Sequence, residues 1–302
     1  MKEKLVLQLI LQFSHIKKIS NILNIFILIL AILSIFLNFS CKKNVAKDRD
    51  NIRIVSLTPS ITRILFHLNV GDKIAGVTDY CDVQNELFTT LIKEGKIERV
   101  GGFYNPNIEK IIYINPTLIF GMDSFSYETK IKLDNLFGNR IHWYKHPKTY
   151  QEITEQIMNI ATILKKSEEG NLIVESMNNK VDEIHNKITN IENRKKILVE
   201  IYSTPFTTCG KNTFIASIVK NSGGILAFNL NDDWPTPTVE TIIATDFDLI
   251  LKTHIADNSN PIFYKNRPIF IPKDISFYLQ PGVESVYAIE ELYNFLYENN
   301  SL

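Results

Sequence analysis

Residues 105–120 read NPNIEKIIYINPTLIF, and residues 236–251 read TPTVETIIATDFDLIL. The two stretches lie 131 positions apart and align without a gap. Pro106/Pro237, Glu109/Glu240, Ile111/Ile242, Ile112/Ile243, Leu118/Leu249 and Ile119/Ile250 are identical pairs. Each copy opens on an N-cap candidate, Asn107 or Thr238, whose side-chain oxygen can accept from an unpaired amide at a helix start. Apolar residues follow at i, i+3 and i+4 (Ile108, Ile111, Ile112; Val239, Ile242, Ile243), then a break, then a short apolar run. The spacing predicts a helix whose apolar face feeds a buried strand, built twice. Two α/β lobes of similar plan follow from it, each showing one glutamate in the first turn of a helix.

The flanking sequence extends this plan. Residues 52–57 predict a strand, and Thr58-Pro59 a helix start with proline at its first position. Ile61, Ile64, Leu65 and Leu68 form one apolar helical face, which Gly71 is expected to end. Residues 73–78 predict a second strand, 127–137 a helix and 140–144 another strand. Strand and helix alternating at this spacing call for a parallel sheet covered on both faces. Residues 151–193 contain no proline and no strand-like run. Their apolar positions Ile173, Met177, Val181, Ile184, Ile188 and Ile191 keep a helical period over about five turns. Between two α/β halves, such a helix suits a stiff connector better than a coiled coil. A second lobe begins at residues 195–202 (KKILVEIY), with a late strand at 268–273 and a closing helix at 284–297. The expected division is a signal segment 1–40, a polar tether 41–51, a lobe 52–165, a connecting helix 166–193 and a lobe 194–302.

Composition narrows the function. The 302 residues are 45% hydrophobic with a net charge of zero, which excludes global disorder and leaves no electrostatic footprint for nucleic acid. The N-terminus stands apart: Lys2, Lys4, Lys17 and Lys18 precede residues 19–40, which carry no charge, and Ser40-Cys41 follows. A basic start, an apolar run and a small residue before cysteine resemble a bacterial lipoprotein signal, cut before Cys41 and acylated on its thiol. Asn38 and Phe39 depart from the usual cleavage pattern, and an uncleaved membrane anchor is the alternative. Either way residues 42–302 lie outside the cytoplasmic membrane. Without the first 40 residues the balance is 29 basic to 32 acidic. Cys81 and Cys209 remain, one in each lobe; one pair is no disulfide framework, so free thiols are expected.

Catalytic and metal chemistry finds little support. His142 and His146 are four apart, but Ile141–Tyr144 reads as a strand and Pro147 follows, so no metal pair is expected. No G-x-S-x-G elbow, phosphate loop or dinucleotide fingerprint is present. Ser56, Ser60 and His67 are the best hydrolytic set available, and they suggest no oxyanion site.

Residues 53–68 (RIVSLTPSITRILFHL), 76–82 (GVTDYCD), 100–112 (VGGFYNPNIEKII), 205–210 (PFTTCG), 221–224 (NSGG) and 234–250 occur in order. Together they resemble the substrate-binding proteins of bacterial ABC importers for cobalamin, haem and ferric siderophores, most of all the cobalamin branch. Arg63 stands where that family commonly has glutamate, and is read as a surface change. The resemblance implies two Rossmann-like α/β lobes joined by one long rigid α-helix, with a ligand cleft between the lobes. By the same resemblance Tyr80, Phe103, Phe206 and Trp234 match ligand-contacting positions and Tyr104 neighbours them; three of these five are expected at the cleft. Rigid rings suit a large planar macrocycle. Glu109 and Glu240 match positions that pair with arginines on the two permease subunits. The implied protein is a monomeric, lipid-anchored solute receptor without a cofactor of its own or metal site. Cobalamin is the leading ligand, because TDYCD and GGFYNPNIE look most like that branch and the cleft loops lack clustered arginine. Residues 273–282 lack an arginine where cobalamin binders can contact the ligand. A ferric siderophore or haem is the alternative, with Tyr80 or a histidine as an iron ligand. An extracytoplasmic enzyme on the same scaffold, or a surface lipoprotein binding another protein, are the readings of other classes.

Overall fold

A computed structural model describes residues 52–254 and 264–298; the expected signal segment, the tether and Cys41 lie outside them. The described residues from Ile52 onward belong to one compact unit. Its first half carries β1 (Ile54–Ser56), β2 (Ile74–Val77), β3 (Glu98–Arg99), β4 (Leu118–Met122) and β5 (Ile141–Tyr144). They form one parallel sheet in the order β3-β2-β1-β4-β5. The second half adds β6 (Lys196–Glu200), a small antiparallel hairpin of β7 (Tyr202–Ser203) and β8 (Phe206–Thr207), then β9 (Ile225–Leu226), β10 (Leu249–Lys252) and β11 (Ile269–Phe270). Here the parallel order is β11-β10-β6-β9. Ile54 and Val55 of β1, and Leu198 and Ile250 of the second sheet, are wholly buried, as parallel strands covered on both faces require.

The helices of the first half are α1 (Pro59–His67), α2 (Glu86–Lys93), α3 (Ile108–Ile114), α4 (Tyr127–Phe137) and α5 (Tyr150–Ile163). Then come α6 (Ser167–Ile188), α7 (Phe214–Asn221), α8 (Val239–Ala244), α9 (Ser276–Leu279) and α10 (Ser285–Tyr293). The repeated sixteen residues fold alike in both places. Asn107 Oδ1 accepts from the Lys110 amide at 2.9 Å to cap α3, and Thr238 Oγ1 accepts from the Thr241 amide at 3.3 Å to cap α8. Each helix then leads into a central strand, β4 or β10.

Two local expectations are corrected. Ile112 and Ile243 were placed on the apolar face, yet each is 49% exposed while Ile111 and Ile242 are fully buried. Successive helical residues diverge by about 100°, so in helices this short only one isoleucine of each pair can face the sheet. And α1 stops at His67, with Asn69 at φ 57° as its left-handed residue; Gly71 instead opens a 3-10 turn. Asparagine tolerates that conformation because its short polar side chain bonds locally.

The 22-residue α6 buries Met177, Val181, Ile184 and Ile188 of the expected stripe, while Ile173 is half-buried and Ile191 lies beyond the helix end. On one side Tyr150 Oη, at the start of α5, donates to Asn178 Oδ1 at 2.9 Å. On the other, His185 Nε2 lies 2.9 Å from Asn221 Oδ1 and Lys180 Nζ lies 2.8 Å from Glu290 Oε2, on α7 and α10. So α6 packs against helices from both halves, within one continuous hydrophobic cluster. The closing helix ends at Tyr293 and continues as a π-turn, Asn294–Glu298. Among the described residues no helix is long and apolar enough to cross a membrane.

Candidate functional site

In both sheets the strand order reverses beside the first strand, between β1 and β4 and between β6 and β10. Open parallel sheets bind ligands outside the carboxyl ends of their strands at such points. In the first half that rim is aromatic. Tyr80 follows β2 and is 68% exposed; Tyr104 follows β3 and is 72% exposed. Phe103, half-buried, meets the Tyr104 ring edge-on with centroids 5.0 Å apart and lies 5.3 Å from Phe125. Phe125 in turn lies 5.5 Å from Trp143. A Cβ placed on Gly102 would come within 3.9 Å of the Tyr80 ring, so the two loops adjoin. The amide of Asp79 donates to Gly101 O at 2.9 Å and that of Asn107 to Val100 O at 2.6 Å, which fixes their relative position.

The second half contributes Trp234, 54% exposed, from a strap at residues 230–235. Backbone amides of Thr208, Gly210 and Lys211 donate to Pro235 O, Asp233 O and Leu230 O at 2.9, 3.0 and 2.9 Å, tying the strap down. Lys148, in the loop after β5, places Nζ 2.7 Å from Asp233 Oδ2 and so joins the first rim to the Trp234 strap. Phe206 departs from its expectation. It is 7% exposed and packs with Leu198, Phe228, Phe247 and Ile250 against the second sheet, because its position on β8 turns the ring inward. Tyr80, Phe103 and Tyr104 therefore stand together, Trp234 is linked to their rim, and Phe206 belongs to the core.

Arg63 is no surface residue. It is 9% exposed and lines a cavity of about 520 Å³ between α1, the loop after β2 and residues 274–284. Its Nη2 donates to Ser276 Oγ at 3.0 Å, and its guanidinium carbon stands 5.8 Å from the Phe277 ring centroid. Two further contacts cross the same gap. His67 Nε2 lies 3.0 Å from Glu284 Oε1, and Gln84 Nε2 donates to Asp274 Oδ2 at 3.3 Å. Burial alone would raise the Glu284 carboxyl. The hydrogen bond and charge of His67, its own backbone amide and the Arg63 charge more than offset this and hold it below the ordinary range. Tyr80 lines this cavity too, so it continues the aromatic rim.

Cys81 and Cys209 are buried free thiols. Burial pushes the Cys81 thiol up against hydrogen bonds from Thr62 and Thr78, and pushes Cys209 up to about 12. Neither is a thiolate ready for a metal. Burial lowers His142 and His146 below the ordinary histidine value. Among the described residues no three His, Cys, Asp or Glu side chains gather as a metal site. Ser56 accepts from Thr62 Oγ1 at 2.8 Å, Ser60 Oγ lies 3.1 Å from Thr58 Oγ1, and His67 turns to Glu284, so the three form no relay. One polar cluster went unforeseen: the wholly buried Glu200, at the end of β6, lies 2.6 Å from His254 Nε2 and accepts from Ser203 Oγ at 2.8 Å.

Glu109 and Glu240 lie exposed in the first turns of α3 and α8. A backbone amide and the Thr238 hydroxyl hold Glu240 below the ordinary carboxylate range, so it is ionised at neutral pH. Each acid has exposed apolar neighbours, Ile112 and Tyr113 (88% exposed) beside the first and Val239 and Ile243 beside the second.

Residues that sequence reasoning missed fall into two groups. Phe125 and Trp143 lie at or just beyond the ends of β4 and β5, where the strand-end rule reaches them. Arg63, Gln280 and Glu284 carried no such signal: the Arg63–Ser276 bond spans 213 residues and the His67–Glu284 contact 217.

A family model for periplasmic binding proteins matches residues 54–262. An uncharacterised ABC transporter substrate-binding lipoprotein of Bacillus subtilis is 26% identical over 216 residues, 70% of this chain and 66% of that one. The vitamin B12-binding protein of Vibrio vulnificus is 21% identical over 192 residues, 63% of this chain and 67% of that one. The chain thus spans about two thirds of the length of these relatives. The periplasmic haem-binding protein of Roseiflexus sp. RS-1, solved in apo form, superposes with a TM-score of 0.69 at 20% identity, covering 82% of this chain and 98% of that one. At that identity the likeness is one of fold.

Proposed function

Since this chain belongs to the periplasmic binding protein family, we propose that it is the extracytoplasmic solute receptor of an ABC importer, anchored through an acylated Cys41. Its ligand is cobalamin or a related corrinoid, and no reaction takes place on the chain. The observation that carries this reading is the aromatic rim of Tyr80, Phe103 and Tyr104, with Trp234 tied to it by the Lys148–Asp233 contact. Rings of this kind supply a broad, stiff apolar surface at low entropic cost, which a bulky macrocycle needs and a small ion does not. Tyr80, Phe103, Tyr104 and Trp234 are the proposed ligand contacts; Phe206 is part of the core of the second sheet. Sheets packed on a shared 22-residue helix also favour a small closing motion over a wide hinge swing.

Glu109 and Glu240 are the proposed contacts to the permease dimer. An acid in a helix's first turn gains from the helix dipole in any case, so its presence there needs no partner. Two such acids at equivalent places, each exposed and each beside an exposed isoleucine, are what supports a docking role. Charges of this kind orient the encounter more than they tighten it.

Haem or a ferric siderophore is the second reading, supported by the haem-binding name of the structural relative. Titration of residues 42–302 with cobalamin, haem and ferric chelates decides among them. Cobalamin is expected to bind below about 10 µM, near −7 kcal/mol; binding of all three weaker than that overturns the receptor reading. Turnover of any of them favours the enzyme reading instead.

A further inference from the structure

The repeated stretch separates what the scaffold needs from what it does not. Six pairs of positions are identical in the two copies. Ile111/Ile242 and Ile119/Ile250 are wholly buried in both, and Pro106/Pro237 and Leu118/Leu249 are buried or half-buried. Only Glu109/Glu240 and Ile112/Ile243 are exposed in both copies, the isoleucines by 49% each. Other exposed positions beside them differ: Lys110 corresponds to Thr241, and Tyr113 to Ala244. What the two helix surfaces share is therefore one acid and one isoleucine.

That shared pair has one geometry. In α3 and in α8 the isoleucine follows the acid by three positions, so the two side chains stand on one helix face, with Cβ atoms about 5–6 Å apart. Among the described residues neither acid makes an ion pair; the hydrogen bonds on Glu240 come from its own backbone amide and from Thr238. Each exposed isoleucine adds little to the fold, because Ile111 or Ile242 already fills the contact with the sheet. Its solvent-facing half is apolar area that a partner can cover.

The two kinds of side chain act on different steps of association. An exposed ion pair adds little affinity and acts on orientation and encounter rate. Affinity comes from apolar side chains seated in hollows that exclude water. We propose that Ile112 and Ile243 anchor this chain on a membrane partner whose two copies each present a basic side chain beside an apolar hollow, while Glu109 and Glu240 steer the approach. The inference rests on the docking role given above and deepens it, by naming the residues that hold the complex and the surface they require. A partner present in two like copies is the occupant because the same acid–isoleucine pair is displayed at equivalent places in both halves. Both acids carry the same sign, so both copies must be basic there.

The test uses the full-length chain in its own cells, with photoreactive p-benzoylphenylalanine in place of Ile112 or of Ile243. Irradiation is expected to join both variants to one and the same integral membrane chain, and to leave that chain free when the probe replaces Leu172, which is exposed on α6. The captured chain, purified in nanodiscs, then binds the full-length protein and its variants in a kinetic assay. Ile112→Ala with Ile243→Ala should speed dissociation about tenfold or more and keep association within about twofold. Glu109→Ala with Glu240→Ala should slow association about tenfold or more at low salt, an effect that fades at high salt, and keep dissociation within about twofold. All four positions are exposed, so the circular dichroism of both variants should match that of the unsubstituted chain. Adducts to two different chains, adducts to a soluble protein or no adduct at all overturn the proposal and the docking role with it. Unchanged dissociation of the isoleucine variant overturns the proposal alone and leaves the role of the acids standing. Ligand affinity is untouched by any of these results, so the cobalamin and haem titrations judge the receptor reading separately.

Discussion

Gly210 and Asp232 approach so closely that a Cβ on Gly210 would stand 1.8 Å from the Asp232 carbonyl oxygen. No side chain fits there, and the strap that carries Trp234 depends on this approach. Gly210→Ala should push residues 230–235 outward, changing the near-ultraviolet dichroism of Trp234 and weakening ligand binding about tenfold or more. Overpacking of this sort costs about 1–3 kcal/mol of stability. A variant with unchanged dichroism and affinity would show that the strap yields freely.

Ile242 and Ile243 are neighbours of one chemical type with opposite environments, fully buried and 49% exposed. Ile242→Ala should cost about 2–5 kcal/mol in urea unfolding, because it empties a packed site under β10. Ile243→Ala should stay within about 0.5 kcal/mol. The same contrast is expected for Ile111 and Ile112, where the repeat places them identically.

Cys209, pushed up to about 12 by burial, makes stability depend on alkaline pH. Its folded pKa lies above its unfolded value near 9, so the neutral thiol's contribution is complete below pH 9 and is lost as pH rises toward 12. The slope attributable to it is at most about 1.4 kcal/mol per pH unit, one proton's worth. Denaturant melts from pH 8 to 11 should show this decline, and Cys209→Ala should flatten it. In the native protein, thiol reagents at pH 8 should label neither Cys81 nor Cys209; rapid labelling would mean the core opens there.

The acid side is governed in part by Glu284, whose carboxyl is held low in the fold. A depressed carboxylate contributes stability above its unfolded value, near 4.5, and loses it as pH falls through the folded value. Glu284→Gln should reduce the acid-induced loss below about pH 4.5 and leave the alkaline limb as it was.

Glu109→Ala combined with Glu240→Ala should abolish uptake of the ligand in cells while its affinity for the isolated protein stays within about twofold, because neither acid lies at the aromatic rim. Normal uptake by the double variant removes the docking role.

Local pattern accounts for most of the scaffold. The capped helices of the repeated stretch, the strands they enter and the buried stripe of α6 could be read from spacing, since hydrogen bonds and apolar periodicity within one element are set by near neighbours. The short helices of the repeat mark the limit of that reading. Whether Ile111 or Ile112 faces inward depends on how the helix is rolled on its sheet, which only packing decides.

The chain alone therefore determined a two-sheet α/β plan, the rim aromatics carried by strand-end loops, and a matched acid in each half. Tertiary structure decided which of these residues act together. It turned Phe206 into the core, tied the strap that carries Trp234 to the loop after β5 through Lys148 and Asp233, and enclosed Arg63 against Ser276 and Phe277. The reason is physical. A helix or strand is specified over a few residues, whereas a buried arginine facing partners more than 200 positions away owes its environment to two sheets docking on one helix. Nothing within α1 distinguishes such an arginine from one facing water.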